Sequence, residues 1–290
     1  EVELLNHLRG HENFQCIQSV ACTHNVALIF SSHFDTDLEQ VSSSRMQLSD
    51  MHAQYFIYNV IRGLKFLHSA QIVHGNLKPA NILLNANDEI VIADLGTATP
   101  IGATPCFPSA GKFWYRAPEH LPFPQRSKTA TDLWSVGCIL AEMWRSKPAT
   151  RLFGGKDAES VLHRQLQVLG KPLAEDAGHL SLRAKSFIAD LEVEPNPGGL
   201  LAEFPEQQPS SSGLHLVGEL LQFNPSKRLT ATQALEHEYL AELHESADEP
   251  SFTKEVDLGA VCDDCFALSE DEIWQRLEEV GHGLAPGFQS

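Results

Sequence analysis

Ile72-Val73-His74-Gly75-Asn76-Leu77-Lys78-Pro79-Ala80-Asn81, followed further on by Asp94-Leu95-Gly96, is the stretch from which the rest of the chain is read. Between its two parts, Ile82–Leu84 and Glu89–Ile92 are short apolar runs on either side of Asn85-Ala86-Asn87-Asp88, four residues suited to a turn. Paired as strands, those runs set Asn81 and Asp94 at neighbouring ends. An amide oxygen and a carboxylate placed that way reach one hard cation. Asn76 carries an acceptor oxygen but no useful basicity near pH 7. It can orient a hydroxyl; it cannot hold the proton.

The stretch resembles the catalytic loop (H-R-D-L-x-x-x-N) and metal loop (D-F-G) of eukaryotic protein kinases. His74, Leu77, Lys78 and Asn81 stand at the family's spacing. Gly75 replaces the usual Arg, and Asn76 stands where the family has its catalytic Asp. The resemblance implies that Asn81 and Asp94 hold Mg²⁺, that Lys78 neutralises a transferring phosphate, and that ATP is the cofactor. It also implies a defect, since loss of a general base removes ~10²–10⁴-fold in rate.

Upstream, Leu48–Ser69 reads as a helix with Ile57, Val60, Ile61, Leu64 and Leu67 on its apolar face and Gln54 and Asn59 toward solvent. Cys16–Cys22 and Val26–Phe30 are short enough to be strands. Val2, Leu4, Leu5 and Leu8 recur at helical spacing. Glu1 through Asn13 is similar to the regulatory helix of mitogen-activated protein kinases and its exit, and Ser31-Ser32-His33-Phe34 to the adenine-binding hinge. That resemblance places Glu1, Ser31, His33 and Leu83 at the nucleotide site, Ser31 controlling access to its back. The family's Gly-rich loop and the third-strand Lys that pairs with Glu1 do not occur in these residues. Without those strands, Val26–Phe30 is expected to have an unpaired edge, and Val2 and Leu5 to be partly bare.

Downstream, the resemblance makes Thr97–Lys112 the activation segment. Phe107-Pro108-Ser109 stands in place of the phosphorylated T-x-Y motif, Lys112 in place of a Thr, and Phe113 in place of an Arg that holds phosphotyrosine. Trp114-Tyr115-Arg116-Ala117-Pro118-Glu119 restores the family pattern, and Asp132–Leu140 resembles its buried central helix. His74, Glu119, Asp132 and Arg228 are the architectural residues: Asp132 is expected to hold the catalytic-loop backbone, and Arg228 to pair with Glu119. Thr230-Ala231-Thr232-Gln233 fits a capping box, and Leu152–Pro172 resembles the insertion of this family. The stretch 192–213, rich in Pro, Gly and Ser, reads as a loop. His244–Pro250 resembles the family's acidic docking motif, with Glu245 and Asp248 receiving a basic segment and Glu249 adding charge. Ser269-Glu270-Asp271-Glu272 caps a tail helix whose apolar face is Ile273, Trp274, Leu277 and Val280.

The formal net charge of −17 argues against nucleic acid and anionic membranes as partners and favours basic peptides. No apolar run is long enough to span a bilayer, and no signal peptide opens the chain. Cys262-Asp263-Asp264-Cys265 has no second ligand pair nearby, so reduced thiols in an intracellular protein, in cytoplasm or nucleus, are expected rather than zinc. The chain begins with Glu1 rather than Met and reads as part of something longer.

The expectation is an α+β protein-kinase fold: a truncated N-terminal lobe over 1–34, a mainly helical C-terminal lobe over 35–240, and an extension over 241–290. The function expected is a kinase-like signalling protein that binds basic-apolar docking peptides and has lost catalysis. The alternatives are a weakly active ATP-dependent Ser/Thr kinase completed by a longer parent chain, and a degenerate product without a role. With radiolabelled ATP and a proline-directed substrate, incorporation is expected to stay at background. Turnover that disappears in Asp94→Ala would overturn this.

Overall fold

The computed structural model describes residues 1–23, 26–44, 48–105, 113–145, 151–204, 209–253 and 269–283. Phe107-Pro108-Ser109, Lys112 and Cys262–Cys265 lie outside them. The chain opens with helix α1 (Val2–His7), strands β1 (Ile17–Thr23) and β2 (Val26–Ser31), β3 (Thr36–Asp37) and α2 (Leu38–Ser43). The long helix α3 (Asp50–Ser69) follows, then β4 (Ile72–Val73), β5 (Ile82–Leu84), β6 (Ile90–Ile92) and β7 (Thr99–Pro100). The rest is helical: α4 (Ala130–Met143), α5 (Ala158–Leu169), α6 (Leu182–Asp190), α7 (Ser211–Leu220), α8 (Ala231–Leu235) and the tail helix α9 (Glu270–Gly283). This is the α+β kinase fold with few strands and a helical lower part.

Helix α3 begins where Ser49 and His52 cap each other's backbone reciprocally. Its apolar face is sealed, with Ile57, Val60, Ile61, Leu64 and Leu67 at most 1% exposed. Asn59 corrects the reading of a solvent-facing residue. It is buried, its Oδ1 accepts from Asn13 Nδ2 at 3.0 Å, and its own amide donates to the Tyr55 carbonyl at 2.9 Å. Asn13 also donates to the Ile90 carbonyl and accepts from Arg62, so α3, β6 and the exit of α1 are tied at one point.

Helix α4 is apolar on nearly every side and runs through the centre, with Leu133, Trp134, Val136, Cys138 and Leu140 fully buried. Beside it Arg228 uses all five of its N–H donors. Two go to Glu119 Oε1 and Oε2 at 2.7 Å each, and the others to the carbonyls of Gln222, Phe223 and Ala130. The guanidinium also lies 4.9 Å from the Trp134 ring. Such a pair is costly to break from one side, because the survivor is a buried, uncompensated charge.

The region 192–213 is only partly the expected loop. A 3-10 turn forms over Gly199–Glu203, and α7 begins at Ser211 with Ser210 as its cap. Buried Glu203 pins the turn, accepting from Arg145, Arg164 and Asn196.

At the other end, β1 and β2 pair antiparallel as a two-stranded sheet. Val26, Leu28, Ile29 and Phe30 are each about half exposed. The expected baring of α1 is corrected: Val2 and Leu5 are buried, because α9 packs against both α1 and β1. Leu277 and Val280 of α9 are partly buried against the core, while Ile273 stays 41% exposed.

Glu119→Gln leaves the Arg228 cation buried without its counter-charge. A loss of about 3–5 kcal/mol is expected, read as a lower urea midpoint with an unchanged denaturant slope.

Candidate functional site

The site begins with Asp132, in the first turn of α4 and fully buried. Its carboxylate accepts from the backbone N–H of His74 and of Gly75, both at 2.9 Å, and from His68 Nε2 at 2.8 Å. Burial alone raises a carboxyl's pKa. The hydrogen bond from His68, the nearby imidazoles and the Gly75 N–H outweigh it and hold Asp132 below its ordinary 3.8.

His74 joins this loop to the next one. Its Nδ1 accepts from the Asn76 N–H at 3.2 Å and its Nε2 donates to the Ala93 carbonyl at 3.1 Å. Gly75 sits at φ +76, a left-handed conformation that glycine adopts freely. A Cβ there would also lie 3.3 Å from the Thr97 carbonyl.

Strands β5 and β6 pair with Ile82 opposite Ile92, and Ala93 donates to the Asn81 carbonyl. That register brings Asn81 Nδ2 to 3.0 Å from Asp94 Oδ2. The same Nδ2 donates to the Asn76 carbonyl at 3.0 Å, which fixes the amide's orientation, since both partners are acceptors only. Lys78 Nζ stands 4.0 Å from Asp94 Oδ2. Asp94 itself has φ +62, an uncommon conformation for a residue with a Cβ.

The structure thus brings Asn76, Lys78, Asn81 and Asp94 together. Glu1 joins them by an unforeseen route: its Oε1 accepts from the Leu95 N–H at 3.2 Å, ordering the metal loop directly. Ser31 accepts a bond from Gln15, and Leu83 is half-buried on β5 between its partners Asp37 and Val91. His33 lies on a different cavity, of about 410 Å³, lined also by His11, Phe14, Phe34, Tyr55 and Ile90. His11 is neutral there: burial, and then Arg62, lower its pKa to about 4.

The acidic turn divides. Glu245 and Asp248 are exposed on a 3-10 turn over Ser246–Asp248, where Glu245 Oε1 also accepts from the Ala247 N–H. Glu249 corrects the reading of a third docking charge. It is 3% exposed and holds the turn down, accepting from Lys65 Nζ at 3.2 Å and His244 Nδ1 at 2.7 Å. Sequence reasoning missed Lys65, His68 and Asn13. The signal for the first two was polar residues on the rim of an otherwise apolar helix face.

The sequence matches the protein kinase domain family over residues 1–240. It is 42% identical over 263 residues to mitogen-activated protein kinase spk1 of Schizosaccharomyces pombe, covering 87% of this chain and 68% of that one. It is 40% identical to mitogen-activated protein kinase 3 of Arabidopsis thaliana, covering 99% and 77%. This chain belongs to the mitogen-activated protein kinase family. Against the kinase KSS1 of Saccharomyces cerevisiae it is 37% identical, covering 87% and 73%.

Kinases of this family use ATP and Mg²⁺. The donor set of this member fits the ion in kind, since Mg²⁺ takes one or two carboxylates and leaves its other positions to phosphate and water. Asp94 would supply the carboxylate and Asn81 its amide oxygen. Lys78 supplies a fixed positive charge beside them, and Asn76 can orient a hydroxyl without accepting its proton.

Asp132 and Glu119 both have folded-state pKa values below their ordinary 3.8 and 4.5. For Glu119 burial opposes the shift and the Arg228 charge outweighs it. Their contribution is therefore complete above those ordinary values and is lost as pH falls through the lowered ones. The urea midpoint is expected to drop steadily from pH 5 to pH 3. In Asp132→Asn it should start lower and fall less steeply; an equal slope would refute the assignment.

Proposed function

We propose that this chain is a kinase-like docking protein of a signalling pathway, with little or no phosphoryl transfer of its own. The observation that carries the reading is the acidic turn. Glu245 and Asp248 point into solvent while Glu249, Lys65 and His244 anchor the turn to α3. The cavity at Tyr55 lies on the same helix. Lys65 and Tyr55 are separated by ten residues, about 15 Å along the axis at 1.5 Å per residue. A partner segment that places its Lys or Arg residues on the acids reaches the cavity through about four or five extended residues. Its apolar side chains then meet Phe14, Phe34 and Tyr55, and the Tyr55 hydroxyl is already fixed to the Asp88 carbonyl at 3.0 Å.

Exposed ion pairs contribute only about 0.2–1 kcal/mol each, so the cavity must supply much of the affinity. The loss of transfer is supported by Asn76, whose amide replaces the proton acceptor. The second reading, a weakly active Ser/Thr kinase, is supported by one geometric fact: Lys78, Asn81 and Asp94 are still gathered around one point.

Fluorescence anisotropy with a basic-apolar peptide tests the docking reading. The double reversal Glu245→Lys with Asp248→Lys is expected to weaken binding about 10-fold or more, since ~1.4 kcal/mol is one decade. Binding by the parent should fall from low salt to about 0.5 M as the charges are screened. Equal binding by the reversed and parent proteins sinks the proposal.

A further inference from the structure

Two imidazoles meet between α7 and the turn that follows α8. His215 is exposed on α7, and half-buried His237 caps a 3-10 turn over Glu238–Leu240. His215 Nδ1 and His237 Nε2 are 2.8 Å apart, with the ring centroids at 5.1 Å and the planes 21° from parallel. On its other side His237 Nδ1 accepts from the Tyr239 N–H at 3.1 Å.

That last bond sets every proton in the pair. A backbone N–H can only donate, so His237 Nδ1 is bare. Neutral His237 then carries its proton on Nε2 and donates it to His215 Nδ1, which must be bare in turn. The His215 proton is left on Nε2, toward solvent. One added proton has no good place in this chain. On His237 Nδ1 it faces the Tyr239 N–H. On His215 Nδ1 it faces the His237 Nε2–H. Moving the His237 proton across its ring to make room only returns the conflict to Tyr239. Tyr239 is 3% exposed, and a buried N–H left without an acceptor is costly.

The charges around the pair do not rescue the cation. Glu219 on α7 and Glu238 in the turn favour it. Helix α8 carries no titratable side chain. Asp50 of α3, packed against the same turn, is already engaged by the Tyr239 hydroxyl at 2.8 Å and Trp144 Nε1 at 3.1 Å. Burial, and then the neighbouring imidazole, outweigh the two glutamates and hold His237 below its ordinary 6.5.

We propose that His215 and His237 form a proton-sensitive latch: as a neutral pair they tie α7 to the Glu238–Leu240 turn, and one added proton unfastens it. The latch holds the footing of the segment that follows, because the Leu240 carbonyl accepts from the N–H groups of Leu243 and His244 on the way to the acidic turn. A folded-state value below the unfolded one makes the contribution of His237 complete above the ordinary 6.5. It is lost as pH falls toward the lowered value. The inference is independent of the docking reading and is tested without a partner.

The test is amide exchange of the full chain by NMR, each rate divided by the intrinsic rate at that pH. From about pH 7.5 to about pH 5, protection of the Tyr239 amide is expected to fall about 10-fold, the scale of one lost cap. The Leu140 amide, in the core of α4, is the control for global loss. His237→Asn keeps a capping oxygen that does not titrate, so its Tyr239 amide should be equally protected at both values. His215→Gln still offers an acceptor to His237 Nε2–H but removes the neighbouring imidazole. His237 should then titrate higher than in the parent, read from its Cε1–H shift, and Tyr239 protection should be lost at a higher pH.

A fall no larger at Tyr239 than at Leu140 overturns the proposal. So does a His237→Asn protein that keeps the parent's pH-dependent loss, or a His237 titration that His215→Gln leaves in place. If neither variant folds, the parent decides alone: His237 titrating at or above its ordinary 6.5 overturns it.

Discussion

One buried carboxylate sets the geometry on which the site depends. Asp132 sits in the core, held from α4, and takes the N–H groups of His74 and Gly75 as two of its partners. Those groups have no strand or helix to bond to, and a buried unpaired N–H is costly. The carboxylate satisfies both at once and fixes the turn between β4 and the Pro79–Asn81 segment. Asn76, Lys78 and Asn81 project from that turn. The register of β5 on β6 then brings Asp94 to them. Placement of the site is thus inherited from the buried central helix α4.

The frame around the candidate site is held by three sets of buried ties. They are the Arg228–Glu119 pair, the Asp132 clamp and the His74 bridge. Gly75 and Asn76 sit inside that frame without disturbing it. The glycine accepts the left-handed backbone that the turn imposes, and the amide fills the space of a carboxylate of the same shape. Substitutions that conserve volume and hydrogen bonding leave a scaffold intact while removing a charge. The turn at Glu245 is remote from this frame and is anchored separately, through Glu249 to Lys65 and His244.

The mainly helical lower part was legible because its signals are local. The apolar period of α3 and the largely apolar sequence of α4 each follow from neighbours in sequence, as do the caps at Thr230 and Ser269. The spacing of His74, Lys78, Asn81 and Asp94 identified the site for the same reason. A strand, a turn and a strand of fixed length admit one arrangement of their ends. Residues 107–112 carry part of that reading and lie outside the described structure.

What only the tertiary structure decided concerns residues whose meaning depends on distant partners. Asn59 reads as a surface amide until Asn13, contributed from the exit of α1, buries it. Glu249 reads as one more surface acid until Lys65 and His244 close on it and turn a docking charge into an anchor. Glu1 reads in the sequence as the partner of a lysine on an upstream strand, and the fold gives it the Leu95 N–H. The sequence determined which elements form and which residue types stand at the motif positions, because periodicity, capping and motif spacing are written in nearby residues. Whether a given polar side chain faces water or a buried partner is set by long-range packing, and no local pattern encodes it.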